Sequence, residues 1–213
     1  KIRFTFAVIL CDDGRAAAEP AERLAKRNVK IQRKIALAIF KLAVSGELAR
    51  HIEISAAEFA IGYVIASVIG IAVGLVMAES ERAKGILQPW ISGLYATPTI
   101  ALAPLFLLWL GIGIWSKVLV VITLVLFPVV INTEAGLRTT SIRLIEMLKS
   151  FGATRRQIFV KISLPSAAPF VLAGLKLGIG RGLIAVVVAE LFGSRAGLGQ
   201  LISQSADSFN MPN

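Results

Sequence analysis

From Phe59 to Ala78 the chain runs for twenty residues without a charge, long enough as a helix to cross a bilayer. Gly70 and Gly74 lie four apart on one face of it and allow a second helix to come close. Gly85 to Ser116 is again uncharged, and its central part, 90–110, is predicted as a second span. Pro98 and Pro104 fall inside that span. A proline in a span kinks the helix and frees carbonyls that need protein or water partners. That fits either a packing kink or a helix lining a pathway. Gly111-Ile112-Gly113-Ile114 is a turn too short to cross back alone. A third span is predicted over 115–133, with Pro128 near its end. A charged segment, 134–166, follows, and then a fourth span over 167–192. Gly193 to Gly199 reads as a turn. The pattern predicts an all-α integral membrane protein, a polytopic helical bundle.

Composition supports this class. Of 213 residues, 56% are hydrophobic and 17% charged, with a mean hydropathy of +0.76; soluble domains carry nearer a quarter charged residues. The net charge of +10 raises nucleic acid as a partner, but the basic residues flank apolar runs and no aromatic residues interleave with them. This placement suits an anionic membrane surface and excludes nucleic-acid binding. The single Cys11 excludes a disulfide framework.

Arg82 and Lys84 follow the first span, and Arg138, Arg143, Lys149, Arg155, Arg156 and Lys161 follow the third. Two spans separate these groups, so both lie on one side, which the positive-inside bias makes cytoplasmic. The N-terminal segment, 1–57, does not fit this scheme. It falls on the opposite side yet carries eleven Lys and Arg. Ile2 to Leu10 is too short to span and Arg3 interrupts it, and a signal-peptide cleavage pattern is not evident. Residues 31–44 read as an amphipathic helix at the interface. The remainder, 58–213, forms the transmembrane domain.

The charged segment has a readable local structure. Ser141 to Phe151 is predicted as a helix with Ile142, Ile145 and Leu148 on one stripe and Arg143, Glu146 and Lys149 on another. Gly152 supplies a helix-ending conformation. Thr154 and Gln157 have the spacing of a capping box that opens a second helix, with Ile158, Phe159 and Ile162 as its apolar stripe. Pro165 and Pro169 mark the turn back into the membrane. The product is a helix–turn–helix knob: either a solvated amphipathic loop or a docking element.

Glu146, Gly152 six residues later, and then Ile162, Leu164 and Pro165 together resemble the EAA loop of the membrane subunits of bacterial ABC importers. Ala173 to Ile184 with Val187, Val188, Ala189 and Glu190, and Gly197-Leu198-Gly199 with Leu201 and Ile202, are similar to the nitrate/sulfonate/taurine branch of those permeases. The resemblance covers about 45–210. It implies docking of a separate ATPase on Glu146, Gly152, Ala153, Thr154, Arg155, Ile162, Leu164 and Pro165. It also implies an extracytoplasmic solute-binding protein, a second copy of the permease, an inner-membrane location with multiple passes, and a small anionic solute. Met147 and Leu148 replace the two alanines of the motif, which bears on close docking. The family has one span before Phe59 and one after Asn213; neither is recognisable, so the bundle is expected to be incomplete at both ends.

Gly174, Gly178 and Gly182 repeat every four residues, a small-residue ridge suited to helix packing. Lys176, Arg181 and Glu190 lie in the same span, where an ionisable group costs roughly 2.5–3.5 kcal/mol and so faces protein or water. Lys176 and Glu190 fall within about 40° of each other around the helix but about 21 Å apart along it, so they do not pair directly. Arg181 either attracts an anion in a pathway or makes an interhelical bridge. His51 is expected at the surface, outside the spans. The sequence offers no catalytic acid–base pair, no metal-spaced ligands and no phosphate loop with its Lys-Ser or Lys-Thr, so neither a cofactor nor a metal is expected. A membrane-embedded enzyme and a structural anchor are the competing classes; the first needs a catalytic cluster and the second gives the knob no purpose.

Overall fold

The computed structural model describes residues 44–194 and 196–209, and among these every regular element is helical. In chain order they are α1 (Glu47–Glu79), α2 (Glu81–Ala96), a 3-10 turn (Thr99–Leu102), α3 (Ala103–Leu110), α4 (Ile114–Arg138), α5 (Ile142–Ser150), α6 (Arg155–Ile158), a π-turn (Phe159–Ser163), α7 (Leu164–Gly193) and α8 (Leu198–Phe209). Three runs are long and apolar enough to cross a membrane: Glu47–Glu79, Ile114–Arg138 and the unbroken Arg155–Gly193. A fourth is the bent pair Glu81–Ala96 and Thr99–Leu110.

Helix α4 is the centre of the bundle, and glycines on its two neighbours set the packing distance. A Cβ on Gly62 would come within 2.7 Å of Val121, one on Gly70 within 2.9 Å of Val129, and one on Gly74 within 2.7 Å of Thr133. The two series rise together, so α1 and α4 run parallel. On α7 the order reverses: Gly174 meets Asn132, Gly178 meets Val125, and Gly182 meets Phe59 and Val125. Helix α7 is therefore antiparallel to α4 and also touches α1. Apolar solvent leaves no hydrophobic drive between helices, so backbone approach of this kind supplies the dispersion contact that holds them. Ala66, Val121, Val125, Val129, Ala185, Val186 and Ala189 fill the seam. Met77, Ile91, Phe127 and Val130 form a second cluster that seats α2. Val68, Leu172 and Leu177 point outward and exposed, as a lipid-facing surface requires.

The elements depart from the sequence reading in specific ways. Helix α1 begins at Glu47, so the expected 57/58 boundary falls inside a continuous helix. The expected single span over 90–110 is instead two arms that begin at Glu81 and meet at 83°. Pro89 sits inside the first arm. Pro98 precedes the 3-10 turn, and Pro104 lies in the first turn of α3, where a missing N–H costs nothing. Helix α4 continues to Arg138, past the expected end at 133. Its last turn is held there by charge: Glu134 Oε1 lies 2.8 Å from Lys84 Nζ and 2.5 Å from Arg138 Nε, and Arg138 reaches Glu81 at 2.9 Å. The residues expected to open a loop therefore extend the span. The segment 1–30 and, apart from Val44, the amphipathic helix expected over 31–44 lie outside the described residues.

Candidate functional site: a knob, a mid-span cation and a buried polar cluster

The knob is built by local chemistry. Gly152 has φ +81°, and its N–H donates to Lys149 O at 2.9 Å while Ala153 N–H donates to Leu148 O at 3.0 Å. These two bonds are a Schellman motif, which uses a left-handed glycine to satisfy the last carbonyls of a helix. Thr154 then caps the next helix. Its Oγ1 accepts from Gln157 N–H at 3.3 Å and its own N–H donates to Gln157 Oε1 at 2.8 Å. Ile158 is buried, with Phe159 and Ile162 half-buried. Only one α-turn follows the cap before the backbone widens into the π-turn Phe159–Ser163.

The face left open on α5 is partly apolar. Ile145 and Leu148 are half-buried, but Ile142 is 72% exposed, Met147 50% and the following Phe151 81%. Ile142 is thus the exposed end of the stripe it forms with Ile145 and Leu148. Glu146, Thr154, Arg155, Leu164 and Pro165 are exposed, and Ala153 is half-buried. A cleft of about 270 Å³ separates the knob from the ends of α1 and α4, between Glu79, Leu137, Lys149 and Phe159.

At the opposite end of the bundle lies a cluster that the sequence reading missed. Lys117 Nζ donates to Glu58 Oε1 and to Ser194 Oγ, each at 2.7 Å. Glu190 is fully buried; its Oε1 accepts from Ser55 Oγ at 2.5 Å and its Oε2 from Gly199 N–H at 2.6 Å. Leu198 N–H donates to Ser55 Oγ at 3.0 Å. Gly197 N–H donates to His51 Nδ1 at 2.7 Å, so His51 is a half-buried helix residue with a partner and not the free surface residue expected. A Cβ on Gly197 would overlap the Glu190 carboxylate, and one on Gly199 would lie 2.5 Å from Val187 O. Gly197-Leu198-Gly199 is thus the backbone that closes over a buried carboxylate. The network ties α1, α4, α7 and the start of α8 together.

Midway along α7, Arg181 donates to Tyr95 Oη at 2.7 Å and lies 4.8 Å from the centre of that ring. It lines a cavity of about 260 Å³ at the break between α2 and the 3-10 turn. Lys176 is exposed. The three charges that the sequence groups in one span therefore have three surroundings, and the structure does not bring them together. Ser194, Lys117 and Glu58 carried one weak signal, a charge or hydroxyl at the margin of an uncharged run. Their meeting depends on the parallel register of α1 and α4, which no local pattern reveals.

Comparison with known proteins adds a family. Residues 66–213 match the model of the binding-protein-dependent transport system inner membrane component. The chain is 36% identical over 162 residues to the formylaminopyrimidine transport permease protein ThiX of Halalkalibacterium halodurans, covering 76% of this chain and 65% of that one. It is 35% identical over 160 residues to the taurine transport system permease protein TauC of Escherichia coli, covering 75% of this chain and 58% of that one. The chain thus spans under two thirds of the length of these relatives. It belongs to the binding-protein-dependent transport system inner membrane component family.

Proposed function

We propose, from this membership, that the chain is the permease subunit of an ATP-driven importer in a cell inner membrane. It forms the transmembrane pathway for a small anionic solute of the sulfonate or taurine kind and carries out no bond chemistry. ATP is hydrolysed by separate subunits that dock on the 146–165 knob. An extracytoplasmic solute-binding protein delivers the solute, and a second permease copy completes the pathway.

The observation that carries this reading is the construction of the knob. A Schellman turn and a capping box fix two helices at an angle, exposed Phe151 and Met147 give a partner apolar contact, and the second helix continues without a break into a 39-residue run. A partner that grips the knob therefore moves a span. The names of the relatives, transport permeases for taurine and for a formylaminopyrimidine, support the importer class. Gly174, Gly178 and Gly182 are read as the packing ridge that keeps the moving span attached to α4.

Single cysteines at Arg143 or Lys149 in the full-length protein test the placement. Labelling only after the membrane is permeabilised, and crosslinking of a cysteine at Phe151 to the co-expressed ATPase, are the expected results. Ready labelling from outside intact cells reverses the topology and removes the docking role.

A further inference from the structure

We propose that the cavity at the Thr97–Pro98 break, with Arg181 as its cation, is a transient subsite for a small organic oxyanion, a sulfonate or carboxylate, on its way through the membrane. This rests on the permease reading and gives it a place and a charge.

Arg181 is eighteen residues into a thirty-residue helix, near the middle of the span. A guanidinium there is costly unless water or an acceptor meets it. Among the described residues no carboxylate pairs with it; its contacts are the hydroxyl and the face of Tyr95. Both hold the planar group in position, and neither cancels its charge. A guanidinium fixed by a neutral partner keeps donors free for a planar or tetrahedral oxyanion, which it binds in bidentate fashion.

The surroundings fit this role. Thr97 and Thr99 line the same cavity; the Thr97 hydroxyl donates to Gly93 O at 3.0 Å, so Thr99 is the hydroxyl offered to a ligand, while Leu124 and Ile184 supply apolar wall. A few polar groups in an apolar cleft is the usual make-up of a small-molecule site, and about 260 Å³ lies just below the ~300–1,000 Å³ range of sites for larger ligands. The cavity opens at the 83° bend, with Thr97, Pro98, Thr99 and Ile100 on its wall. Irregular backbone at membrane depth is tolerated where it lines a water-filled cavity or is buried in protein. The glycines that pack α7 on α4 lie on the flank next to Arg181, so α4 supplies one wall of the cavity through Leu124 while Arg181 itself stays exposed.

The test uses the full-length permease assembled with its ATPase and receptor, with Cys11→Ser and Ile184→Cys. The thiol is titrated with an anionic sulfonatoethyl methanethiosulfonate and with its cationic trimethylammonium counterpart. The anionic reagent is expected to react faster, and ethanesulfonate to protect. Arg181→Met and Arg181→Gln should each lower the anionic-to-cationic rate ratio by about tenfold, as loss of a unit charge beside the thiol implies, and Arg181→Lys should keep it. Two removals and one retention guard against a folding defect in any single variant.

A thiol inert to both reagents in the complex but reactive after denaturation overturns the subsite, because the cavity is then sealed. So does a ratio that neither removal changes. If the receptor still stimulates ATP hydrolysis in either case, the permease reading stands without the subsite. If neither ATPase nor receptor associates with the parent protein, the permease reading itself falls.

Discussion

Lys117 Nζ lies 2.7 Å from Glu58 Oε1 across fifty-nine residues of sequence, with both side chains almost wholly buried. Removing one partner leaves an uncompensated charge, a loss of about 3–5 kcal/mol. Lys117→Met should therefore lower the melting temperature of the detergent-solubilised full-length protein sharply. The double change Lys117→Met with Glu58→Gln should recover much of the loss. A double variant as unstable as the sum of its singles would show that the two groups are not coupled.

The glycine ridge of α7 predicts a contrast between neighbours. A Cβ on Gly178 would lie 3.0 Å from Val125 Cγ1, whereas one on Gly180 would meet nothing within 4 Å. Gly178→Leu should cost roughly 1–3 kcal/mol through overpacking and reduce recovery of ATPase-bound complex after mild detergent extraction. Gly180→Leu should not. Equal recovery of the two variants would remove the ridge from the packing account.

Gly152 makes a different prediction, because a Cβ there has open space and only the backbone resists. At φ +81° an L-residue pays about 1–2 kcal/mol, most for a β-branched one and least for Asn. Gly152→Val should insert normally yet leave the docked ATPase hydrolysing ATP without transport, while Gly152→Asn keeps most of the coupling. Normal transport by the valine variant, read as solute taken up per ATP hydrolysed, would show that this turn is not the coupling element.

The loop over Glu190 yields the last. Gly197→Ala places a methyl group against a fully buried carboxylate, so the loop must lift and lose the Gly199 and His51 bonds. Amide hydrogen exchange over 196–200 should rise strongly, whereas Gly193→Ala, whose Cβ meets the flexible end of Leu107 at 3.3 Å and Ile112 at 3.7 Å, should change little. Unchanged exchange in Gly197→Ala would mean that the loop does not depend on this approach.

What the sequence made legible follows the range of each interaction. The capping box of Thr154 and Gln157 spans three residues and was readable letter by letter. The spans were readable because a bilayer demands an uncharged run, but their ends were not. Helix α1 starts at Glu47 because nothing in helix geometry stops it where the hydrocarbon ends. The prolines at 98 and 104 announced a disturbance without fixing the 83° of the bend. The periodic glycines announced a close partner without naming it. Glu58, Lys117, Ser55 and His51 were opaque because each is satisfied by a residue more than fifty positions away, and no local pattern carries that information.

The unbroken run Arg155–Gly193 has a mechanical consequence. Gly178, pressed on Val125, divides it into arms of about 35 Å toward the knob and about 22 Å toward Glu190's end, at 1.5 Å per residue. For a lever with its fulcrum there, a push of about 5 Å on the knob swings the far tip about 3 Å the other way. On the proposed docking, one stroke would tighten the bundle at one mouth as it loosened the other, and the Gly197 loop, clasped to the short arm by Glu190, would move with it.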